Sequence, residues 1–139
     1  LKDGLEGSGC EIFWEYNYAR GNQNTSEIIA SKKQVDYLVI LDNWALEEVG
    51  EAAEENKYHG AKIYGVGSSE KAIVLLDNQN IECLVVPDDY ETGYMSMNEI
   101  AKKLRHSFYK MNSCETEVRI INKEDLYSKD LERFLYSYE

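Results

Sequence analysis

The chain has 139 residues, 43% of them hydrophobic and 29% charged, and its 26 acidic and 15 basic side chains give a formal net charge of -11. This length and composition predict one globular domain over residues 1–139 that buries a core without disulfides or metals. The negative charge disfavours nucleic acid and anionic lipid surfaces as partners. No apolar run approaches the roughly 18 residues that a membrane span requires, so we expect no membrane insertion.

Five runs rich in β-branched and aromatic residues predict strands. They cover residues 11–16, 37–41, 62–66, 82–86 and 117–121. Helical spacing lies between these runs, with polar N-cap residues before three of the segments. The predicted helices lie near residues 24–32, after residue 43, after residue 69, over about 92–111 and over about 129–138.

Strands that alternate with helices through short connections predict parallel βαβ units. Nearly every position of the predicted strands is apolar, as in strands covered on both faces. The expected fold class is therefore α/β, with three layers and a mostly parallel sheet of about five strands. In the fourth helix, we expect Ile100, Leu104, Phe108 and Met111 to lie on one side.

Residues that follow the strands form the candidate site, because sheets of this class bind ligands at the carboxyl ends of their strands. Tyr18 and Arg20 follow the first run, and the two side chains can stack on and hydrogen-bond a polar ligand. Asp42, Asn43 and Trp44 follow the second run and can bind hydroxyl groups and cover an apolar ring face. An exposed loop and a helix N-cap are the alternative interpretations of these two groups.

The third and fourth runs are followed by Gly67-Ser68 and by Pro87-Asp88. The stretch around Gly67 lacks the spacing of a P-loop and of a dinucleotide fingerprint, which favours a plain strand-to-helix turn. The acidic pair Asp88-Asp89 can hold a metal, although such a pair is more typical of a turn.

The sequence contains no recognisable catalytic constellation. Its two histidines, His59 and His106, are predicted away from the strand ends, and no GxSxG, HExxH or Cys/His cluster is present. The three cysteines, Cys10, Cys83 and Cys114, are far apart and predict neither a disulfide framework nor a zinc site. We therefore expect a non-enzymatic protein with no cofactor.

Three segments, in their order and spacing, resemble a known family. Residues 35–50 are VDYLVILDNWALEEVG, residues 64–73 are YGVGSSEKAI, and residues 80–94 are NIECLVVPDDYETGY. They resemble the second lobe of type 1 periplasmic sugar-binding proteins, a fold that LacI-type ligand-sensing domains share. Residues 1–9 resemble the end of that lobe's first helix, and the resemblance extends to about Asn122.

The resemblance implies a periplasmic-binding-protein-like lobe of a bacterial uptake or sensing protein, in which two lobes close on a sugar or similar small polar ligand. It implies that Asp42 makes a polar ligand contact and that Tyr18 to Arg20 supply an aromatic one. Gly67 and Pro87 stand where sugar binders usually carry an aspartate and a glutamine. Without these two hydrogen-bonding groups, we expect weak binding or an unusual ligand.

The resemblance also implies that this chain is a part of a longer two-lobe protein. In the family, the crossing segment 69–86 belongs to the first lobe. We expect this segment either to join the chain's own sheet or to exchange with a second copy, and the resemblance favours the exchanged homodimer. An uptake or sensing protein would be extracytoplasmic, and the chain opens at Leu1 without the leader that such a protein carries.

The residues also allow other functions. An effector-binding domain of a LacI-type regulator has the same fold and would be cytoplasmic. A phospho-receiver domain has a similar size and alternation, with Asp42 as its phosphoacceptor, but it needs an acidic pair where this chain has Asn17-Tyr18. An enzyme is supported by Asp88-Asp89 and the thiols alone.

Overall fold

A computed structural model describes residues 2–18, 24–131 and 135 of the chain. The helices are α1 (Lys2–Leu5), α2 (Thr25–Ala30), α3 (Asn43–Ala53), α4 (Glu70–Asp77) and α5 (Asp89–Arg105), followed by 3-10 turns at Lys123–Asp125 and Lys129–Leu131. The strands are β1 (Tyr37–Ile40), β2 (Lys62–Val66), β3 (Cys83–Pro87) and β4 (Val118–Ile121). In the described chain, no helix is both long and apolar enough to cross a membrane.

The four strands form one sheet in the order β1-β2-β3-β4. β1, β2 and β3 are mutually parallel, and β4 runs antiparallel to β3, with Pro87 opposite Val118. The predicted α/β class with a mostly parallel sheet is therefore confirmed. The predicted last helix falls mostly on residues 132–134 and 136–139, which lie outside the described residues.

The first predicted strand, residues 11–16, is wrong, so the sheet has four strands rather than about five. This segment has irregular structure and is held by side chains instead of a ladder. The Trp14 indole N–H donates to the Lys33 carbonyl at 2.9 Å, and the Lys33 Nζ lies 4.1 Å from the centre of the Phe13 ring. Strand propensity reflects fit to a pleated surface, and it does not by itself supply a partner strand.

The core lies on one face of the sheet, beneath α3 and α4. Side chains alternate along β1, so Leu38 and Ile40 point inward while Tyr37 and Val39 are exposed. The most completely buried large side chains come from both helices and from three strands. They are Leu46, Val49, Ile63, Leu76, Leu84, Val86 and Ile121, and they are joined by Ile81 from the turn before β3 and Thr25 from α2.

The opposite face of the sheet is open. Val39 is 49% exposed at one end of the sheet, and Val118 and Ile120 are 57% and 68% exposed at the other. The helical layer that we expected on this second face is absent over these side chains, so the described residues form two layers. Apolar residues at nearly every strand position indicate that both faces are suited to being covered, but they do not identify the segment that covers the second face.

The segment 69–86 packs into its own sheet. In α4, Leu75 and Leu76 are buried, and in β3, Leu84 and Val86 are buried, all within one chain. This is the intramolecular arrangement of the two that we considered. The exchange with a second copy, which the resemblance favoured, is thus not needed to bury this segment.

Helix α5 buries none of its residues against the rest of the described chain. It runs from Asp89 to Arg105 and contains no buried residue. Leu104 is 82% exposed, and Phe108, just beyond the helix, is fully exposed. The helix ends at Arg105, so its predicted end near residue 111 is wrong. Periodicity correctly marks an apolar stripe on α5, but the surface that would cover the stripe is not part of the described residues.

Candidate ligand-binding edge

Each of the three parallel strands is followed, within three residues, by a polar residue that caps the next helix. Asp42 Oδ1 accepts a hydrogen bond from the Ala45 N–H at 2.9 Å, and Ser69 Oγ accepts one from the Ala72 N–H at 3.2 Å. Asp88 Oδ1 accepts from the Glu91 N–H at 2.8 Å. Such caps satisfy backbone donors that the first turn of a helix leaves unpaired, which is why Asp and Ser are favoured there.

A polar network joins the first two strand ends. The Asn43 Nδ2 donates to Glu47 Oε1 at 2.8 Å, and Ser69 Oγ donates to the same oxygen at 2.7 Å. The Asn43 Oδ1 in turn accepts from the Ser69 N–H at 3.5 Å. Glu47 is only 17% exposed, and the Lys71 Nζ lies 4.0 Å from its other oxygen. The network fixes the start of α3 against the start of α4.

Two glycines allow this close approach of α3 to β2. A Cβ at Gly67 would overlap Asn43 Oδ1, and a Cβ at Gly65 would lie 2.6 Å from Leu46 Cδ2 and 2.9 Å from its Cγ. Neither glycine has a positive φ, so neither is needed for a left-handed backbone conformation. Their role is to leave room for Asn43 and Leu46 above the strand.

The second and third strand ends are joined by Ser68, whose Oγ donates to Asp89 Oδ2 at 3.1 Å. Pro87 is the last residue of β3 and is half-buried. Asp88 is 9% exposed, and its backbone N–H donates to the Glu117 carbonyl at 3.0 Å. The predicted residues Asn43, Gly67, Ser68, Pro87 and Asp88 thus share the carboxyl edge of the sheet.

Asp42 follows β1 at the same edge. Asp42 and Tyr18 both line a broad open cleft of about 1490 Å³ between the segment 10–18 and strand β1. Tyr18 is half-buried and packs against the core. Trp44, in the first turn of α3, is 55% exposed, and Arg20 lies outside the described residues.

Sequence reasoning missed two features of this edge: the presence of Glu47, and the hydrogen bond that Ser69 donates to it. Four other glutamates follow Glu47 within eight residues, a pattern typical of a solvated helix face. The position of Glu47 four residues after Asn43 is the signal that separates it, since residues i and i+4 meet on a helix. Within the described ranges, no three His, Cys, Asp or Glu side chains are grouped to hold a metal ion.

Solved structures with the same fold come from solute-binding proteins. An ABC transporter solute binding protein from Agrobacterium vitis, with bound D-fucose, matches with a TM-score of 0.67 and 15% identity, over 81% of this chain and 39% of that one. A carbohydrate transporter solute binding protein from Agrobacterium radiobacter, in complex with D-arabinose, matches with a TM-score of 0.67 and 21% identity, over 81% and 38% of the two chains.

A glucose-galactose binding protein from Geobacillus stearothermophilus, GanP, matches with a TM-score of 0.61 and 20% identity, over 74% of this chain and 37% of that one. The chain therefore spans well under half the length of these solved proteins. A comparison with curated proteins gives no match. A family model described as a periplasmic binding protein domain matches residues 1–107. Because this match covers most of the sequence, the chain belongs to the periplasmic binding protein domain family.

Proposed function

We propose that the chain is the second lobe of a non-enzymatic, two-lobe solute-binding protein, which binds a sugar or a similar small polar ligand at the carboxyl edge of the sheet. The observation that carries the proposal is the convergence of Asp42, Ser68 and Asp88 on that edge. Each follows a different strand, and together they offer carboxylate and hydroxyl groups to a polyol. The sugars in two of the matched solved structures support this ligand class.

One lobe provides only one wall of a binding cleft, so the affinity of this chain alone is expected to be low. Ligand sites bury most of a small ligand between their walls. Gly67 and Pro87 also contribute no side-chain hydrogen bond at their strand ends. We expect dissociation constants for simple sugars in the millimolar range, about -4 kcal/mol or weaker.

The test is an NMR titration of ¹⁵N-labelled chain with D-arabinose and D-fucose up to roughly 100 mM, a range that detects millimolar binding. We expect saturable shifts limited to amides of residues 42–44, 67–69 and 87–89. Asp42→Ala should weaken binding by roughly 1–3 kcal/mol, because a ligand hydroxyl loses its partner. Absence of any shift, or shifts elsewhere only, would contradict a sugar site at this edge.

Helix α5 supports the two-lobe part of the proposal. Its exposed stripe contains Tyr90, Tyr94, Met97 and Leu104, and the chain spans only 37% to 39% of the matched solved proteins. Stripes of this size on a helix without buried residues mark a contact with another body. We infer that α5, rather than the segment 69–86, meets the rest of a longer protein.

A charge on this stripe tests the inference. Met97→Glu should leave the unfolding free energy of the present chain within about 0.5 kcal/mol, since Met97 is 66% exposed. In a longer protein that contains the other lobe, the same change should cost about 2–4 kcal/mol because it buries an unpaired carboxylate. Equal effects in both proteins would contradict this role of α5.

A protein that serves uptake or sensing in this way would act outside the cytoplasm, and we propose that location for it.

A further inference from the structure

We infer that Glu47 is a positioning residue that holds the Asn43 side chain over Gly67, so that the Asn43 amide takes the place of a side chain at position 67. The inference rests on the proposed function, because it names the group that the second strand end presents to a polar ligand. The group presented at the end of β2 is therefore the Asn43 amide, which belongs to α3, and not a side chain of the residue that follows β2.

The contacts leave room for one side chain in this space. A Cβ at position 67 would overlap Asn43 Oδ1 and would lie 3.3 Å from both Asn43 Cγ and Leu46 Cδ2. The observed conformation of Asn43 and a residue larger than glycine at position 67 therefore exclude each other. Leu46 is fully buried and blocks the neighbouring volume, so Asn43 cannot yield in that direction.

Glu47 determines where the amide lies. One of its oxygens, Oε1, accepts hydrogen bonds from both Asn43 and Ser69 at 2.8 Å and 2.7 Å. Both bonds have an ionised acceptor in a half-buried position, where charge-assisted bonds are strong. The amide of Asn43 has two N–H groups and two acceptor lone pairs, and the bonds to Glu47 and Ser69 use one of each. The remaining donor and acceptor suit a neutral hydroxylated ligand.

The steric part of this arrangement can be tested without any ligand, by comparing the melting temperatures of four chains. Gly67→Ala should lower Tm by roughly 5–10 °C, because the new methyl group overlaps Asn43. In the Asn43→Ala background, the same change should lower Tm by less than about 3 °C. Gly93→Ala is the matched control, since a Cβ at Gly93 meets nothing within 4 Å. An equal loss in both backgrounds, including failure of both to fold, would overturn the mutual exclusion.

The positioning part is tested by two replacements of Glu47. Glu47→Gln keeps an oxygen that can accept both bonds, whereas Glu47→Ala removes it. We expect hydrogen exchange of the Asn43 side-chain NH₂ to become faster by on the order of tenfold in Glu47→Ala and to stay near wild type in Glu47→Gln. Unchanged exchange in Glu47→Ala would overturn the positioning role.

Titration with D-arabinose then separates this inference from the proposed function. Glu47→Ala should weaken binding by roughly fivefold or more, while Glu47→Gln should stay within about twofold. If wild-type chain binds no sugar while the Tm and exchange results are as expected, the proposed function fails and the Asn43–Glu47 arrangement stands. If the wild type binds and Glu47→Ala binds equally well, Asn43 is not the group presented to the ligand.

Discussion

The two halves of this chain use apolar residues in opposite ways. In the first, α3 and α4 cover one face of the sheet and bury their stripes completely, including Leu46 and Leu76. In the second, α5 leaves its apolar stripe, from Tyr90 to Leu104, exposed. The difference shows that an amphipathic pattern reports the need for a covering surface, and that the surface can belong to a different part of the protein.

Polar contacts take over where apolar packing is missing. The return segment after α5 is attached through Glu99, which accepts hydrogen bonds from Lys102, Asn112 and Tyr109. Thr92 and Thr116 form a second link, with their hydroxyl oxygens 3.0 Å apart. The α5 region is thus held by a few polar contacts, and the α3–α4 region by a continuous core. The two regions should respond differently to the same substitutions.

Two leucine truncations give the largest expected contrast. Leu46→Ala should reduce the free energy of unfolding by about 3–5 kcal/mol, because Leu46 is fully buried above Gly65 and the site cannot collapse. Leu104→Ala, at 82% exposure, should change it by less than about 0.5 kcal/mol. Chemical denaturation of both variants measures the difference. Similar losses would mean that α5 is packed in solution.

Two glycine-to-alanine changes should have effects of opposite sign. Gly65→Ala should cost about 1–3 kcal/mol, because its Cβ would lie 2.6 Å from Leu46 Cδ2 and 2.9 Å from Cγ. Gly93→Ala, inside α5 with open space around it, should favour the helix by roughly 0.5–1 kcal/mol. Circular dichroism of thermal unfolding reads both effects. A stabilising Gly65→Ala would contradict the close packing of α3 on β2.

Loss of the α3 cap should lower global stability, whereas loss of the α5 cap should act mainly on local stability. Asp42→Ala should lower global stability by about 1 kcal/mol, since α3 is part of the core. Asp88→Ala should remove a cap of similar strength from α5, and we expect faster hydrogen exchange in the first turn of α5 with a smaller change in global unfolding. Asn at either position keeps the cap and serves as the control. Equal effects on global unfolding would mean that the two regions unfold together.

The smallest expected effect is a pH response of the α5 region alone. The hydrogen bond from Lys102, followed by that from the Asn112 N–H, lowers the pKa of Glu99 from 4.5 to about 2. Because the folded pKa is depressed, its contribution is complete above about pH 4.5 and is lost as the pH falls towards 2. The protection factor of the Asn112 amide, which corrects its exchange rate for the intrinsic pH dependence, should fall as the pH is lowered over this interval, and Glu99→Gln should abolish the response. A response that persists in Glu99→Gln would assign it to another carboxyl.

The sequence predicted the regular part of the first region well. Strands β1 to β3 lie within or beside the predicted runs, and Asp42 and Ser69 cap helices as their residue types indicate. The irregular segment 11–16 has the same composition as a strand, so propensity could not separate it from one. What distinguishes it is the lack of a partner, which is a property of the tertiary structure.

The sequence predicts which residues lie at the candidate edge, but it does not predict the hydrogen bonds that connect them. The rule that ligand groups follow parallel strands predicts positions 43, 68 and 88, and these residues do lie at the carboxyl edge of the sheet. It could not show that Glu47 joins Asn43 to Ser69, because that contact depends on how α3 lies over the start of α4. Local sequence encodes the caps, while the distance between α3 and α4 depends on tertiary packing, where a Cβ at Gly50 of α3 would lie 2.8 Å from Leu75 Cδ1 of α4.

The chain leaves the sheet at the end of β3, passes through α5 and returns in β4, whose first residue lies beside the end of β3. The Asp88 N–H donates to the Glu117 carbonyl, and Pro87 lies opposite Val118 in the antiparallel pair. Residues 89–116 therefore behave topologically as an insertion in a β-hairpin. Replacing them with a two-residue turn such as Asn-Gly would close β3 and β4 directly and would yield a minimal scaffold that retains the polar strand ends of β1 and β2.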